Sequence, residues 1–153
     1  MSGCLLKESG VAADEKALVR AARLSKADLV TGMVTEFTEL QGTMGREYAL
    51  LDGEGDTVST AIGEQYMPRF AGDELPQTNE GRLLAIADKL DNITATFSRG
   101  DAPTGSQAPY ALRRPALGLP NIVTDGNIHF ALPIAIKETF ILLPTTYHST
   151  HQI

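Results

Sequence analysis

Four cations recur at helical spacing near the start of the chain. Lys16, Arg20 and Arg23 stand at i, i+4 and i+7, and Lys26 follows beside them. Residues at these intervals share one face of a helix. Such a face is typical of solvated surface charge, and it also fits contacts to the phosphates of a nucleic acid. The pattern therefore leaves two alternatives open, a solvated face or a phosphate-binding face.

A second cationic group, Arg113 with Arg114, follows a stretch rich in Pro and Gly. Paired arginines either contact phosphate or tie a loop to acidic neighbours such as Asp73 and Glu74, and both alternatives are open.

The overall charge of the chain is negative. The 153-residue chain has 13 Lys and Arg against 19 Asp and Glu, a formal net charge of -6. Residues 47–80 hold eight acidic residues and one basic residue, and would repel a phosphate backbone. Any contact with RNA is therefore predicted to be confined to small cationic patches of the surface.

Histidine, cysteine and nucleotide-binding motifs offer little for catalysis. The single cysteine, Cys4, excludes an internal disulfide and any CxxC zinc site. His148 and His151 could bind a metal if they lay on a helix, or they belong to an ordinary polar terminus. The sequence contains no GxxxxGK[ST], GxGxxG, HExxH or GxSxG motif. We therefore predict no catalytic residues, no metal site and no cofactor in this chain.

The elements that position these residues are predicted to be helices. Asp14 can cap a first helix whose small and apolar stripe continues to Met33. Asp56 can cap a short helix that ends before Pro68. Asn79 can cap the most regular helix, which places Asp88 and Asn92 opposite a broad apolar face containing Leu83, Ile86, Ala87, Leu90, Ile93, Thr94 and Phe97.

The last third of the chain is less regular. A short helix is expected around Arg113 and Arg114, and Pro115 and Pro120 argue against its continuation. Residues 130–143 are predicted to be a helix docking on the core, although their β-branched residues would also suit a strand. Residues 1–10 are expected to be a loosely ordered lead-in and residues 144–153 a polar tail. The coarse prediction is a single all-α domain over 11–143.

The segment LAIADKLDN at 84–92 resembles the last conserved helix of the HD-domain phosphohydrolase superfamily. In that superfamily the Asp joins two His and one Asp upstream to hold a divalent metal. No His precedes His129 here, and there is no His-Asp dipeptide. The resemblance implies an HD-like helical bundle without its metal site, in which Asp88 occupies a vestigial position. The alternative is a solvated or capping carboxylate on a helix.

Three ordered blocks also resemble the bacterial glycyl-tRNA synthetase beta subunit. The first is ARLSKADLVT at 22–31, continued by EF at 36–37 and ELQGTMGR at 39–46. The second is AGDELP at 71–76, followed by the helix that carries Asp88. The third is PTGS at 103–106, PYALRR at 109–114 and ALG at 116–118. Because that subunit is several times longer, the chain resembles its internal HD-like portion.

This resemblance implies part of an α2β2 glycine–tRNA ligase in the cytoplasm, without membrane attachment. The alpha subunit uses ATP to form glycyl-adenylate, and the beta subunit chiefly binds and positions tRNA. The implied partners are the alpha subunit, the remainder of the beta subunit and glycine tRNA, and this chain alone is expected to be inactive. Two alternatives are a degenerate HD phosphohydrolase and a non-catalytic structural fragment.

Overall fold

The computed structural model describes residues 2–98 and 110–143, which form eight α-helices, two short 3₁₀ helices and no strand. The α-helices are α1 (Ser2–Ser9), α2 (Glu15–Leu24), α3 (Gly32–Glu36), α4 (Thr43–Leu51), α5 (Asp56–Glu64), α6 (Asn79–Ser98), α7 (Tyr110–Asp125) and α8 (Leu132–Leu142). The 3₁₀ helices are Ala27–Val30 and Thr38–Leu40. The predicted all-α fold is confirmed for this part of the chain, and the HD-like arrangement of its helices stays a prediction.

Helix α6 forms the centre of the core and packs against α2, α5, α7 and α8. Leu83, Ile86 and Leu90 on its apolar face are at most 1% exposed, as the helical spacing predicted. Each such side chain contributes roughly 1.5–3 kcal/mol through burial. The end of the predicted stripe differs, because Phe97 is 46% exposed.

The start of α6 is capped by a different residue from the one predicted. The hydroxyl of Thr78 accepts a hydrogen bond from the backbone N–H of Gly81 at 3.0 Å. Asn79 is instead the first residue of the helix, and its side-chain amide donates to the carbonyl of Ala12 at 2.7 Å. The prediction that Asn79 is the cap was therefore wrong by one position, and Thr78 supplies the same chemistry.

Helix α2 begins as predicted. The carboxylate of Asp14 accepts hydrogen bonds from the backbone N–H groups of Lys16 at 2.9 Å and Ala17 at 3.1 Å. The side chains of Leu18 and Ala21 are completely buried. This cap and this apolar face hold the helix against α5 and α6 and turn its other side outward.

The same helix ends earlier than its apolar pattern predicted. It stops at Leu24, where the buried side-chain amide of Gln65 donates a hydrogen bond to the carbonyl of Ser25. This tertiary contact satisfies a carbonyl at the helix end. Beyond it Leu29 is 40% and Met33 42% exposed, so the prediction that both belong to one continuous core stripe was wrong.

Helix α7 continues through both of its prolines, so the prediction that Pro115 and Pro120 end the helix was wrong. Each proline removes one backbone donor from the helix but already holds φ near its helical value. The missing N–H of Pro120 leaves the carbonyl of Ala116 without its helical partner, and both residues are exposed, so water can bind this carbonyl. Ile122 is completely buried and Leu119 is 9% exposed, and this burial offsets the cost of the prolines.

The two ends of the described chain are also helical. Residues 1–10 were expected to be a loosely ordered lead-in, but they contain helix α1, and Leu5 is only 3% exposed within the core. The segment 130–143 contains helix α8, so the strand alternative is wrong. Residues 144–153, predicted to be a polar tail, lie outside the described residues.

Candidate functional site

Three of the predicted cations lie on the outer face of α2, and we call Lys16, Arg20 and Arg23 the cationic stripe. All three are exposed. Arg20 pairs with Glu54, with Nη2 at 2.5 Å and Nε at 2.9 Å from Oε1. This hydrogen bond and the charge of Glu54 raise the pKa of Arg20. Lys16 and Arg23 form no ion pair with any residue in the described ranges.

Lys26 lies beyond the end of α2 and is paired with the residue predicted for the vestigial HD position. Its ammonium is 2.9 Å from Oδ1 of Asp88, and the two side chains are 47% and 9% exposed. Burial lowers the pKa of Lys26, but the charge and hydrogen bond of Asp88 and the nearby Asp91 together raise it above its ordinary value. Lys26 is thus a partnered cation at the end of the stripe.

Asp88 and Asn92 occupy the same side of α6, as their spacing predicted. The side-chain amide of Asn92 donates to Oδ2 of Asp88 at 3.1 Å and to its carbonyl at 2.9 Å. Both carboxylate oxygens therefore have a partner, and Asp88 is neither solvated nor a helix cap. In residues 2–98 and 110–143 no group of three or more His, Cys, Asp or Glu is placed to hold a metal ion.

Asp88 also lines a cleft of about 520 Å³ between α6, the segment 38–41 and the segment 66–69. Its wall includes Glu39, Tyr66, Arg69, Lys89 and Asn92. The sequence pattern indicated Asp88 and Asn92 but not Arg69 or Lys89. The available signal was spacing, because Lys89 stands three residues after Ile86 and four after Ala85, both completely buried.

Lys89 is the most deeply buried cation of this cleft, at 5% exposed. Its ammonium donates a hydrogen bond to the carbonyl of Met67 at 2.7 Å. Burial lowers the pKa of Lys89 to about 8, although the charge of Asp88 acts in the opposite direction. Gly118 of α7 leaves room for this side chain, because a Cβ at that position would lie 2.8 Å from Cε of Lys89.

A buried carboxylate positions the segment that forms another wall of the cleft. Asp28 is 2% exposed, and its Oδ2 accepts a hydrogen bond from the N–H of Gly42 at 2.7 Å. Gly42 has φ +80°, and a Cβ there would lie 2.6 Å from the ring of Tyr66. The adjacent segment 38–41 is thereby fixed beside Tyr66. These contacts explain why the QG pair of the first sequence block needs glycine.

A second buried carboxylate joins α5 to the start of α6. Glu64 is 8% exposed and accepts hydrogen bonds from the N–H of Gln77 at 2.9 Å and from the N–H and hydroxyl of Thr78 at 3.2 and 2.5 Å. Gly81 lies against this carboxylate, because a Cβ there would be 1.9 Å from Oε2 of Glu64. The helix that carries Asp88, Lys89 and Asn92 is thus anchored at its first turn.

The remaining predicted residues fall in less fully described parts of the chain. The backbone of Arg113 and Arg114 lies in α7, but their side chains are outside the described residues, and so are His148 and His151. The structure brings Lys26 to Asp88. No helix in the described ranges is long and apolar enough to span a bilayer.

With this geometry established, comparison with known proteins identifies the family. Residues 3–152 match the family described as "Glycyl-tRNA synthetase beta subunit". The chain belongs to this family. The match covers nearly the whole sequence and includes the three sequence blocks, the cationic stripe and the cleft.

Relatives that carry the name glycine–tRNA ligase beta subunit support the assignment. The protein of Halothermothrix orenii is 60% identical over 127 residues, which are 83% of this chain and 18% of that protein. The protein of Clostridioides difficile is 55% identical over 138 residues, or 90% of this chain and 20% of that protein. The protein of Myxococcus xanthus is 49% identical over 137 residues, again 90% and 20%. The chain spans about a fifth of the length of these curated relatives.

Proposed function

We propose that this chain is a tRNA-handling segment of the beta subunit of an α2β2 glycine–tRNA ligase, acting in the cytoplasm. The observation that carries the proposal is the family match over residues 3–152, with 55–60% identity to the relatives of Clostridioides difficile and Halothermothrix orenii. Its partners are the alpha subunit, the remainder of the beta subunit and glycine tRNA. The segment helps to bind and position that tRNA while the holoenzyme uses ATP to activate glycine.

The cationic stripe is the surface we assign to the tRNA backbone. Lys16 and Arg23 are exposed and lack acidic partners in the described ranges, and Arg20 between them keeps half of its side chain in solvent despite its contact with Glu54. The net charge of -6 opposes RNA at long range, so phosphates must come within about a Debye length, ~8–10 Å, of these cations. Binding by this segment alone is therefore weak and sensitive to salt.

Arg113 and Arg114 are the second candidate contact. If these arginines bind phosphate, changing both to Ala weakens binding to all tRNA sequences alike and lowers the salt slope by roughly one per lost contact. If they tie a loop to the fold, the same change lowers the melting temperature and leaves the salt slope of the folded protein unchanged.

A filter-binding titration of the chain with bacterial glycine tRNA at several salt concentrations tests the proposal. We expect binding at low salt, and the logarithm of the binding constant should fall linearly with the logarithm of the salt concentration. A purely structural segment shows no such binding even at the lowest salt, and that result would overturn the proposed contact with tRNA. Glycine-dependent exchange between ATP and pyrophosphate gives a second readout, because we expect none from this chain alone.

A further inference from the structure

The cleft between α6 and the segments 38–41 and 66–69 has the size and chemistry of a ligand site distinct from the cationic stripe. Its volume of about 520 Å³ lies within the range of roughly 300–1,000 Å³ that small-molecule sites occupy. The stripe lies on the outer face of α2, whereas the cleft is lined by residues of α6, the segments 38–41 and 66–69, and Pro115 of α7. Lys26, which follows the stripe along the chain, contacts Asp88 of the cleft wall.

The charge of Lys89 is the least compensated feature of the cleft. An ammonium has three N–H donors, and the carbonyl of Met67 is the one acceptor within hydrogen-bond distance among the described residues. The nearest acidic side chain on the helix, Asp88, pairs with Lys26. A buried cation without a carboxylate partner is costly in an empty site and favours an anionic ligand.

Other polar groups of the same wall suit a sugar phosphate. The guanidinium of Arg69 donates to the carbonyl of Gln41 at 3.2 Å, which leaves most of its N–H donors for a ligand. Asn92 is exposed at the wall and can bind a hydroxyl. Glu39 is the one lining carboxylate without an ion pair in the described ranges, and it is exposed at the rim, where water screens its charge.

We propose that this cleft binds a nucleotide, with Lys89 and Arg69 contacting its phosphate and Asn92 its ribose. The shared chemistry is a ribose phosphate, which either a free nucleotide or a nucleotide of an RNA strand can supply. The RNA source rests on the proposed function, whereas the free nucleotide does not.

Titration of the isotope-labelled chain followed by NMR tests this proposal with three probes. They are adenosine 5′-monophosphate, the RNA trinucleotide CCA, and adenosine, which lacks the phosphate. We expect one of the two phosphate-bearing probes to shift the amide signals of Lys89, Asn92 and Arg69, and adenosine to leave them unchanged. Binding of the monophosphate supports a free nucleotide as the source, and binding of CCA alone supports RNA.

Two substitutions make the result decisive. Lys89→Met keeps the unbranched shape and all but the last atom of the side chain and removes its charge, and we expect at least a tenfold loss of affinity. Lys137→Met on the exposed side of α8 leaves affinity unchanged. Arg69→Met, at a half-buried position, provides the same test if Lys89→Met does not fold. The proposal is overturned if neither phosphate-bearing probe shifts the cleft signals, or if a folded Lys89→Met or Arg69→Met variant binds as tightly as the wild type.

These experiments test tRNA binding by the stripe and nucleotide binding by the cleft separately. Loss of tRNA binding on changing Lys16 and Arg23, with nucleotide binding retained, supports both assignments. Binding of tRNA without any nucleotide signal in the cleft overturns only the cleft proposal.

Discussion

The ammonium of Lys26 lies 2.9 Å from Oδ1 of Asp88. The two residues were predicted to be important for different reasons, Lys26 as one of four cations and Asp88 as a vestigial metal ligand. Their contact gives the buried carboxylate a cationic partner within the protein. It also places Lys26, which follows the cationic stripe along the chain, beside the cleft that contains Lys89.

The first prediction concerns this ion pair. Lys26→Met should lower the free energy of unfolding by about 1–2 kcal/mol, because the carboxylate of Asp88 is then left buried with only the amide of Asn92 as its partner. Half of Lys26 is in solvent, which keeps the cost below that of a fully buried pair. Asp88→Asn in the same chain should recover most of the loss. Urea denaturation of the two single variants and the double variant measures the coupling, and strictly additive effects would contradict it.

A second prediction concerns metal binding at Asp88. Adding Mn²⁺ or Mg²⁺ should leave the melting temperature unchanged, because Lys26 and Asn92 already engage the carboxylate and one carboxylate alone cannot hold a catalytic metal. Asp88→Asn serves as the matched control. A rise in the melting temperature with metal that disappears in Asp88→Asn, or a structure with a metal ~2.0–2.6 Å from Asp88, would show that the prediction is wrong.

The third prediction concerns Gly81, in the first turn of α6. Gly81→Ala should destabilise the fold by about 2–4 kcal/mol, because its Cβ would overlap the carboxylate of Glu64 and displace the hydrogen bonds to Gln77 and Thr78. Gly32→Ala is the control, since no atom lies within 4 Å of its added Cβ. Thermal denaturation compares the two variants. Equal melting temperatures would rule out the close contact.

The fourth prediction follows from the burial of Lys89. Burial of its charge lowers the pKa of Lys89 from 10.5 to about 8. Lys89→Met removes this buried charge but also the hydrogen bond to the carbonyl of Met67. The net effect should be a stabilisation of the chain at pH 7 by about 1–2 kcal/mol. Between pH 8 and 10.5 the unfolded chain holds a proton that the folded chain has released. Wild-type stability therefore gains from this group as pH rises, and the advantage of Lys89→Met shrinks.

Urea denaturation of wild type and Lys89→Met across this pH range measures the effect. Comparing the two chains cancels the contributions of Lys26 and Tyr66, whose raised pKa values act at higher pH and in the opposite direction. If Lys89→Met is instead less stable at every pH, the ammonium is a structural anchor for the carbonyl of Met67.

Local sequence patterns predicted those features of the fold that depend on residues close together in the chain. The cap at Asp14 and the apolar spacing of Leu83, Ile86 and Leu90 operate within one helix, and both appear as predicted. The early end of α2 could not be predicted in this way, because it depends on Gln65, which is 40 residues away from Ser25. Tertiary contacts of this kind override local propensity.

The cleft was missed for a similar reason. Arg69 lies on a loop and Lys89 on α6, and only the folded chain brings them to one wall. The passage of α7 through Pro115 and Pro120 also depends on its packing against α6, which no local rule on proline includes. Helical spacing could predict that the cations of α2 share a face, but not that Glu54 partners Arg20 or that Asp88 partners Lys26.

The fifth prediction tests the central claim, that this segment contacts tRNA through the cationic stripe. The measurement is the salt dependence of glycine tRNA affinity for wild type and for the double variant Lys16→Ala, Arg23→Ala. The double variant Lys7→Ala, Lys137→Ala is the charge-matched control on α1 and α8. We predict that loss of the two stripe cations weakens binding and lowers the salt slope by roughly 0.7–0.9 for each lost contact, while the control keeps the slope of the wild type. An unchanged affinity and slope in the folded stripe variant would contradict the claim.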